Sequence, residues 1–254
     1  MQNRWPERLW IVRHGESAGN VARREAYAAG APRIDLAERD VDVPLSPLGE
    51  EQACALGRWF AALPEPERPD VVLTSPYLRA ERTAHIIQAC GGVSPESPEF
   101  MVDERLREKE FGVLDRLTAS GIRARHPDQA EFRRLLGKFY HRPPGGESWC
   151  DVILRLRSAM DTVGLHHGGR RVLIVAHQVV VLCLRYLIEN LSEAELLAID
   201  SAGEVANCGV TEYRFEASVG KDGRLVLERY NFVAPLERAG ALVTAEPDAR
   251  VAAR

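Results

Sequence analysis

Three short apolar runs, 9–12 (Leu-Trp-Ile-Val), 71–73 (Val-Val-Leu) and 172–176 (Val-Leu-Ile-Val-Ala), lack the polar alternation of a half-solvated strand. That pattern predicts strands buried on both faces. Between them the apolar period lengthens to that of a helix. Ser46-Pro47 opens one such stretch, with Ser as N-cap and Pro at the first helical position. Its apolar positions Leu48, Leu56, Trp59, Phe60 and Leu63 follow at helical spacing. Ser75-Pro76 repeats the start ahead of a helix expected to run to about Ala89, and a third is expected over 147–163, where Val152, Leu156, Met160 and Val163 form one stripe. Residues 178–189 are apolar nearly all round, the pattern of a buried crossover helix. Strand–helix alternation of this kind predicts an α/β fold, a three-layer sandwich whose largely parallel central sheet carries helices on both faces. Residues 210–215 and 225–230 alternate more clearly and flank Lys221-Asp222-Gly223, a hairpin signal. From 234 onward Ala, Glu, Arg and Pro recur without period. This predicts a flexible tail over 234–254 and leaves 1–233 as the folded domain.

The 254 residues fit one α/β domain plus that tail, and 45% hydrophobic with 28% charged content excludes a fibrous or disordered chain. A net charge of −4 favours neither nucleic acid nor an anionic membrane as partner, so neither is expected and any basic feature must be local. Five cysteines without a C-x-x-C pair read as free thiols in a reducing cytosol. The run at 9–12 is too short for a secretory core and is ended by Arg13, and no apolar stretch is long enough to span a bilayer. A cytoplasmic location is expected.

Candidate chemistry collects at the C-terminal ends of the three buried strands, the edge where open α/β sheets bind ligands. The first runs into Arg13-His14-Gly15-Glu16-Ser17, the second into Thr74-Ser75-Pro76-Tyr77-Leu78-Arg79-Ala80, the third into His177-Gln178. Taken singly, each has a plainer account. Arg-His-Gly is a short match, Arg79 reads as a solvated helical charge, and His177 as a strand cap. Their joint placement, with Leu106-Arg107-Glu108-Lys109-Glu110-Phe111-Gly112 as a fourth piece, is what points to a site.

With these landmarks, and with Leu45-Ser46-Pro47-Leu48-Gly49, Gln52-Ala53, Thr83-Ala84, Gly145-Gly146-Glu147-Ser148 and Val175-Ala176-His177 in order, the sequence resembles the histidine phosphatase superfamily, the phosphoglycerate mutase-like fold, over roughly residues 8–215. Phosphoryl transfer needs an in-line nucleophile, donors for the equatorial oxygens and a proton source for the leaving oxygen. The resemblance makes His14 the nucleophile, through a phosphohistidine intermediate, and Arg13 and Arg79 offer guanidinium forks matched to phosphate oxygens. Gly15 removes a Cβ where the backbone must approach the phosphate. The resemblance further implies that His177 hydrogen-bonds the transferring phosphoryl, that Gln178 contributes its backbone N–H, and that Asn20 contacts a phosphoryl oxygen. It places the general acid/base at Glu108, four residues before Gly112; the competing Glu110 reads as a solvated charge. No metal and no other cofactor is expected, since arginines take a cation's role. His166-His167 lacks cysteine or paired carboxylate ligands and reads as a polar helix end.

The superfamily holds phosphatases and mutases. The mutase pattern Glu-Arg-His-Tyr-Gly is replaced here by Glu108-Lys109-Glu110-Phe111-Gly112, and only 68 residues separate Glu108 from His177, where mutases carry a longer segment. Phosphatase is therefore the expectation, acting on a small phosphorylated metabolite, with a cofactor-dependent phosphoglycerate mutase and a non-catalytic scaffold of the same fold as alternatives. Phe132-Arg133-Arg134 faintly resembles a mutase arginine pair, and a solvated helical face accounts for it equally. Residues 138–143 and 177–184 are similar to the fructose-2,6-bisphosphatase branch, a likeness of fold from which the sugar bisphosphate is not carried over. The segment 21–44 departs most from the family pattern. It is expected to overhang the pocket, either as a solvated lid with no substrate contact or as the part that sets substrate choice, with Arg33 or Arg39 meeting a distal anionic group. Neither substrate identity nor oligomeric state follows from the sequence.

Overall fold

A computed structural model describes residues 4–95 and 99–246. In chain order β1 (Arg8–Arg13) is followed by α1 (Ala18–Ala28), α2 (Pro47–Ala61), β2 (Val71–Thr74), α3 (Leu78–Ala89), β3 (Glu99–Val102), α4 (Ala119–Arg125), α5 (Pro127–Tyr140) and α6 (Trp149–His166). Then come β4 (Arg171–Ala176), α7 (Gln178–Glu189), α8 (Glu193–Ala202), β5 (Val210–Glu216), β6 (Arg224–Phe232) and α9 (Ala234–Arg238). The six strands form one sheet in the order β3-β2-β4-β1-β5-β6. The first four are parallel, and the β5–β6 hairpin adds an antiparallel edge. This is the expected α/β class.

Alternation along β1 explains why its sequence shows no polar face. Leu9 and Ile11 point into a core built with Trp149, Leu156, Val180 and Leu184 of α6 and α7. Trp10 and Val12 point the other way, against Leu56 and Phe60 of α2 and Ala84 and Ile87 of α3. Both faces are covered, so both must be apolar. Register then places the chemistry: Arg13 pairs with Ala176 and Thr74 with Val175, so β1, β4 and β2 end level and release His14, His177 and Ser75 at one edge.

Four expectations are corrected. β3 was not foreseen, because Glu-Phe-Met-Val is a short, half-exposed parallel edge with no clean period. α3 starts at Leu78 rather than at Ser75-Pro76: the Ser75 hydroxyl accepts from Tyr77 N at 3.2 Å and bonds His177 Nε2 at 2.7 Å, so it does not cap a helix beginning at Pro76. α6 starts at Trp149, two residues late, with Ser148 and Asp151 forming a reciprocal capping box. The predicted flexible tail is docked as far as it is described. Leu236 of α9 is fully buried in the α2–α3 core, Gln52 Nε2 donates to Leu242 O at 2.8 Å, and Asn207 N donates to Thr244 O at 2.8 Å. Beyond α9 the chain is held by bonds to its backbone and to the Thr244 and Glu246 side chains, which leave no period to read; 247–254 lie outside the described residues. Among the described residues no helix is long and apolar enough to cross a membrane.

Candidate active site

The loop after β1 presents a buried imidazole in a defined state. His14 Nδ1 lies 2.7 Å from Gly15 O, a carbonyl that can only accept, so Nδ1 carries the proton. Arg79 Nε donates to His14 Nε2 at 3.2 Å, which requires a lone pair on Nε2. The ring is thus held with Nε2 unprotonated and facing a guanidinium group. Arg79 also donates from Nη1 to Asp40 O at 2.6 Å and pairs with the Asp40 carboxylate at 3.1 Å. Its guanidinium lies 4.9 Å from the Tyr77 ring centroid.

Arg13 is fully buried, and its fork is turned toward main chain: Nη1 donates to Val205 O at 2.5 Å and Nη2 to Glu246 O at 2.8 Å. Two of the donors expected for phosphate are thus engaged with main chain, one in the loop before β5 and one in the C-terminal segment. His177 packs edge-on to His14, with ring centroids 5.2 Å apart. Full burial, then the charge of Arg79, holds its pKa well below the usual histidine value, so it is neutral. Its Nδ1 is buried without a hydrogen-bond partner among the described residues and lies 4.0 Å from the Glu108 carboxylate. His177 does not cap the N-terminus of α7 with its side chain, so the first-turn N–H groups, beginning at Gln178, stand at the same strand edge. The Gln178 side chain is bound by Glu204 instead.

Glu108 is 3% exposed, whereas Glu110 is exposed and accepts from Tyr77 OH at 2.9 Å. The loop that carries Glu108 is held by an ion-pair network the sequence did not announce. Arg155 binds Glu147 Oε1 at 2.9 Å, Arg105 O at 2.5 Å and Glu108 O at 3.2 Å, while Glu147 Oε2 accepts from Glu110 N at 3.1 Å. These partners hold the Glu147 carboxyl below its ordinary range despite burial. Glu147, read only as part of a landmark, is thus the brace of the Glu108 loop.

A cleft of about 500 Å³, counted to its open mouth, lies against His14, Arg79, Ser17 and Asn20. Asn20 Oδ1 accepts from Ser17 N and Oγ, both at 3.0 Å, in the cap of α1, which leaves the amide nitrogen for a ligand. The outer wall is the 21–44 segment, as expected, but its charged lining differs. Arg39 is exposed and pairs with Asp42 at 2.6 Å, and Arg33 is exposed; neither lines the cleft. Arg23, Asp40, Asp115 and Arg116 do. Arg116 ties the wall down, donating to Leu36 O at 2.7 Å and to Glu38 O, while its own carbonyl accepts from Ile34 N at 2.8 Å. Burial and the nearby Asp40 charge raise the Asp115 pKa. Among the described residues no group of three or more His, Cys, Asp or Glu is placed to hold a metal ion, and His167 closes the end of α6 beside Glu99.

Comparison with known proteins bears on this arrangement. The family model of the histidine phosphatase superfamily, branch 1, matches residues 9–231. The chain belongs to that superfamily. Among relatives, the probable phosphoglycerate mutase GpmB of Photorhabdus laumondii subsp. laumondii is 32% identical over 179 residues, covering 69% of this chain and 72% of that protein. That of Serratia proteamaculans is matched to the same extent. Among solved structures, "Mycobacterial hydrolase 1" superposes with a TM-score of 0.68 at 26% identity, covering 89% of this chain and 99% of that one. Mycobacterial glucosyl-3-phosphoglycerate phosphatase in complex with VO3 gives a TM-score of 0.66 at 26% identity with the same coverage.

Several of the superfamily landmarks are scaffold beneath the loop that follows β1. A Cβ on Gly15 would stand 2.4 Å from Gly49 O, and one on Gly49 would stand 1.9 Å from Glu16 O. Gly15 is therefore required by backbone contact with α2, a reason independent of its expected role in admitting phosphate. Glu16 is clamped by Ser46 Oγ, Gln52 Oε1 and Arg24, and Gly15 N donates to Thr83 Oγ1 at 3.1 Å. Asn207, which no motif signalled, donates to His14 O at 3.0 Å. Gly49→Ala is expected to cost about 3 kcal/mol or more, because two main-chain segments must separate. Urea denaturation checks this, and a loss under about 1 kcal/mol would refute the rigid contact.

Lys109, 5% exposed, sits with Nζ 4.4 Å from the Phe111 ring centroid. Burial, then the charge of Arg133, pushes its pKa down to about 8. An unfolded lysine titrates near ~10.4, so between about pH 8 and that value the unfolded chain binds the extra proton and stability from this residue rises with pH. Lys109→Met is expected to be more stable than the parent at pH 7.5 by up to about 3 kcal/mol, an advantage that shrinks toward zero as pH approaches ~10.4. Matched denaturation curves across that range test it; a difference independent of pH would disprove the buried-ammonium account.

Proposed function

We propose that this chain is a metal-independent phosphomonoester hydrolase that passes a phosphoryl group from a small metabolite to His14 and then to water. The observation that carries the reading is the His14 ring, with Nδ1–H directed to Gly15 O and a lone pair on Nε2 beside the Arg79 guanidinium. Nε2 attacks phosphorus in line, and the guanidinium, released from Asp40 by the incoming anion, neutralises the equatorial oxygens. Neutral His177, whose Nδ1 has no hydrogen-bond partner among the described residues, and the first N–H groups of α7 supply further donors. Glu108 protonates the leaving alkoxide and then takes a proton from water.

The cleft supports hydrolysis over mutase chemistry. Asp40 and Asp115 line it beside Arg23 and Arg116, a wall of balanced charge, and Glu110 in the acid/base loop stands where mutases carry a basic residue, so no net positive charge is offered to a second anionic group there. A hydroxyl-bearing remainder suits that wall better. One observation favours the mutase reading named for the sequence relatives. Arg134 is exposed and pairs with Glu131, but Arg133 lies inward, close enough to lower the pKa of both Lys109 and His141, so two cations adjoin the acid loop. Steady-state hydrolysis of p-nitrophenyl phosphate undiminished by EDTA is expected. Loss of activity on chelation overturns the metal-free mechanism. Phosphoryl exchange between 2,3-bisphosphoglycerate and 3-phosphoglycerate faster than hydrolysis overturns the phosphatase reading.

A further inference from the structure

Away from the cleft, Cys54 on α2 and Cys90, the residue that ends α3, bring their sulfur atoms to 2.7 Å across 36 positions of sequence. Packing accounts for the approach. Gly57, one turn beyond Cys54, has no side chain, and a Cβ there would stand 2.7 Å from Cys90 Cβ and 3.0 Å from Ile87 Cα. The two helices therefore meet closely at this point.

The two thiols are not equivalent. Arg58 Nη1, on the next turn of α2, donates to Cys54 Sγ at 3.2 Å, so a guanidinium stands against that sulfur. Burial and the adjoining Cys54 sulfur push the Cys90 thiol up to about 11, so Cys90 holds its proton. Access is also provided: Cys54 lines an open groove together with Arg58, Arg82 and Ile86. Cys183 and Cys208, by contrast, are fully buried, and burial raises both thiols well above their ordinary range.

We infer that Cys54 and Cys90 form a reversible oxidation site whose co-reactant is a hydroperoxide entering the groove beside Arg58. The Cys54 thiolate attacks one peroxide oxygen and the O–O bond breaks. The displaced alkoxide or hydroxide takes a proton and leaves as alcohol or water, and Cys54 becomes a sulfenic acid. Cys90 sulfur then attacks Cys54 sulfur, the S–O bond breaks, and the hydroxyl departs as water with the Cys90 proton. The net change is two thiols and one peroxide to one disulfide, one water and one alcohol or second water. A dithiol reductant returns two electrons and two protons. The bond that closes is about 2.05 Å long, so the sulfurs need move by well under an ångström.

The test treats the full chain with hydrogen peroxide, blocks remaining thiols with iodoacetamide and reads the digest by mass spectrometry. Expected is the loss of two of the five thiols, in one intramolecular Cys54–Cys90 cross-link that dithiothreitol reverses and that neither Cys54→Ser nor Cys90→Ser can form. In Cys90→Ser, dimedone is expected to trap a sulfenic acid on Cys54. Iodoacetamide on both Cys54 and Cys90 after a dose that has already oxidised Cys150 overturns the proposal. So does a cross-link between chains, or a dimedone adduct that forms on Cys90 in Cys54→Ser but not on Cys54 in Cys90→Ser.

Discussion

His14→Ala is expected to lower kcat for p-nitrophenyl phosphate by roughly 10⁴- to 10⁶-fold, the scale on which removing a covalent nucleophile acts. The reason lies in the tautomer. Gly15 O binds Nδ1–H, so the only nitrogen with a lone pair for phosphorus is Nε2, and Arg79 stands 3.2 Å from it. Alanine leaves that guanidinium beside an empty space that water alone can fill, and no neighbouring side chain offers a replacement in line. His177 is neutral and 5.2 Å away ring to ring, but its Nε2 is already bonded to Ser75. Phosphate affinity, read as competitive inhibition, should change far less than kcat, because the donors remain. Acid-labile, alkali-stable label on the enzyme in a quenched turnover should vanish in the variant. Turnover within tenfold of the parent, or persistence of that label, would rule out His14 as the phosphoryl carrier.

The parts of this site that sequence made legible are those fixed by burial and local chemistry. A strand covered on both faces must be apolar throughout, so 9–12, 71–73 and 172–176 declared themselves, and the polar residues directly after each marked the edge where they converge. The superfamily landmarks supplied the names of His14, Arg79, Glu108 and His177. What sequence could not supply were relations between distant backbone atoms. Gly15 and Gly49 need each other's missing side chains across 34 positions, and Asn207 reaches back to His14 O. Residues of the 21–44 segment line the cleft, but Arg33 and Arg39 are not among them. Arg39 is drawn outward by Asp42 three residues on, while Asp40 turns in to meet Arg79. The Ala- and Arg-rich C-terminal segment looked mobile because the bonds from Gln52, Asn207 and Arg13 that dock it leave no pattern in its own composition.

Glu108→Gln is expected to separate substrates by the basicity of their leaving groups. Glu108 is almost fully buried, its Oε1 accepts from Lys109 N at 2.7 Å, and its Oε2 stands 4.0 Å from His177 Nδ1. Gln keeps the volume and the acceptor, so the loop braced by Glu147 and Arg155 should hold its shape. It loses only the transferable proton. An alkoxide leaves poorly without that proton, so kcat/KM for an alkyl phosphate such as glycerol phosphate should fall roughly 10²- to 10⁴-fold, about 3–5 kcal/mol of transition-state stabilisation. A p-nitrophenolate needs no proton to depart, so kcat/KM for the aryl ester should fall by about tenfold at most. If Glu108 also takes the proton from attacking water, the second half-reaction slows for every substrate alike. The aryl ester then shows a burst of nitrophenol, one equivalent per site, ahead of a slow steady state limited by hydrolysis of the phosphohistidine. Equal losses of kcat/KM for the two esters would mean that Glu108 positions or excludes rather than protonates. The proton source would then have to be sought at another group around His177.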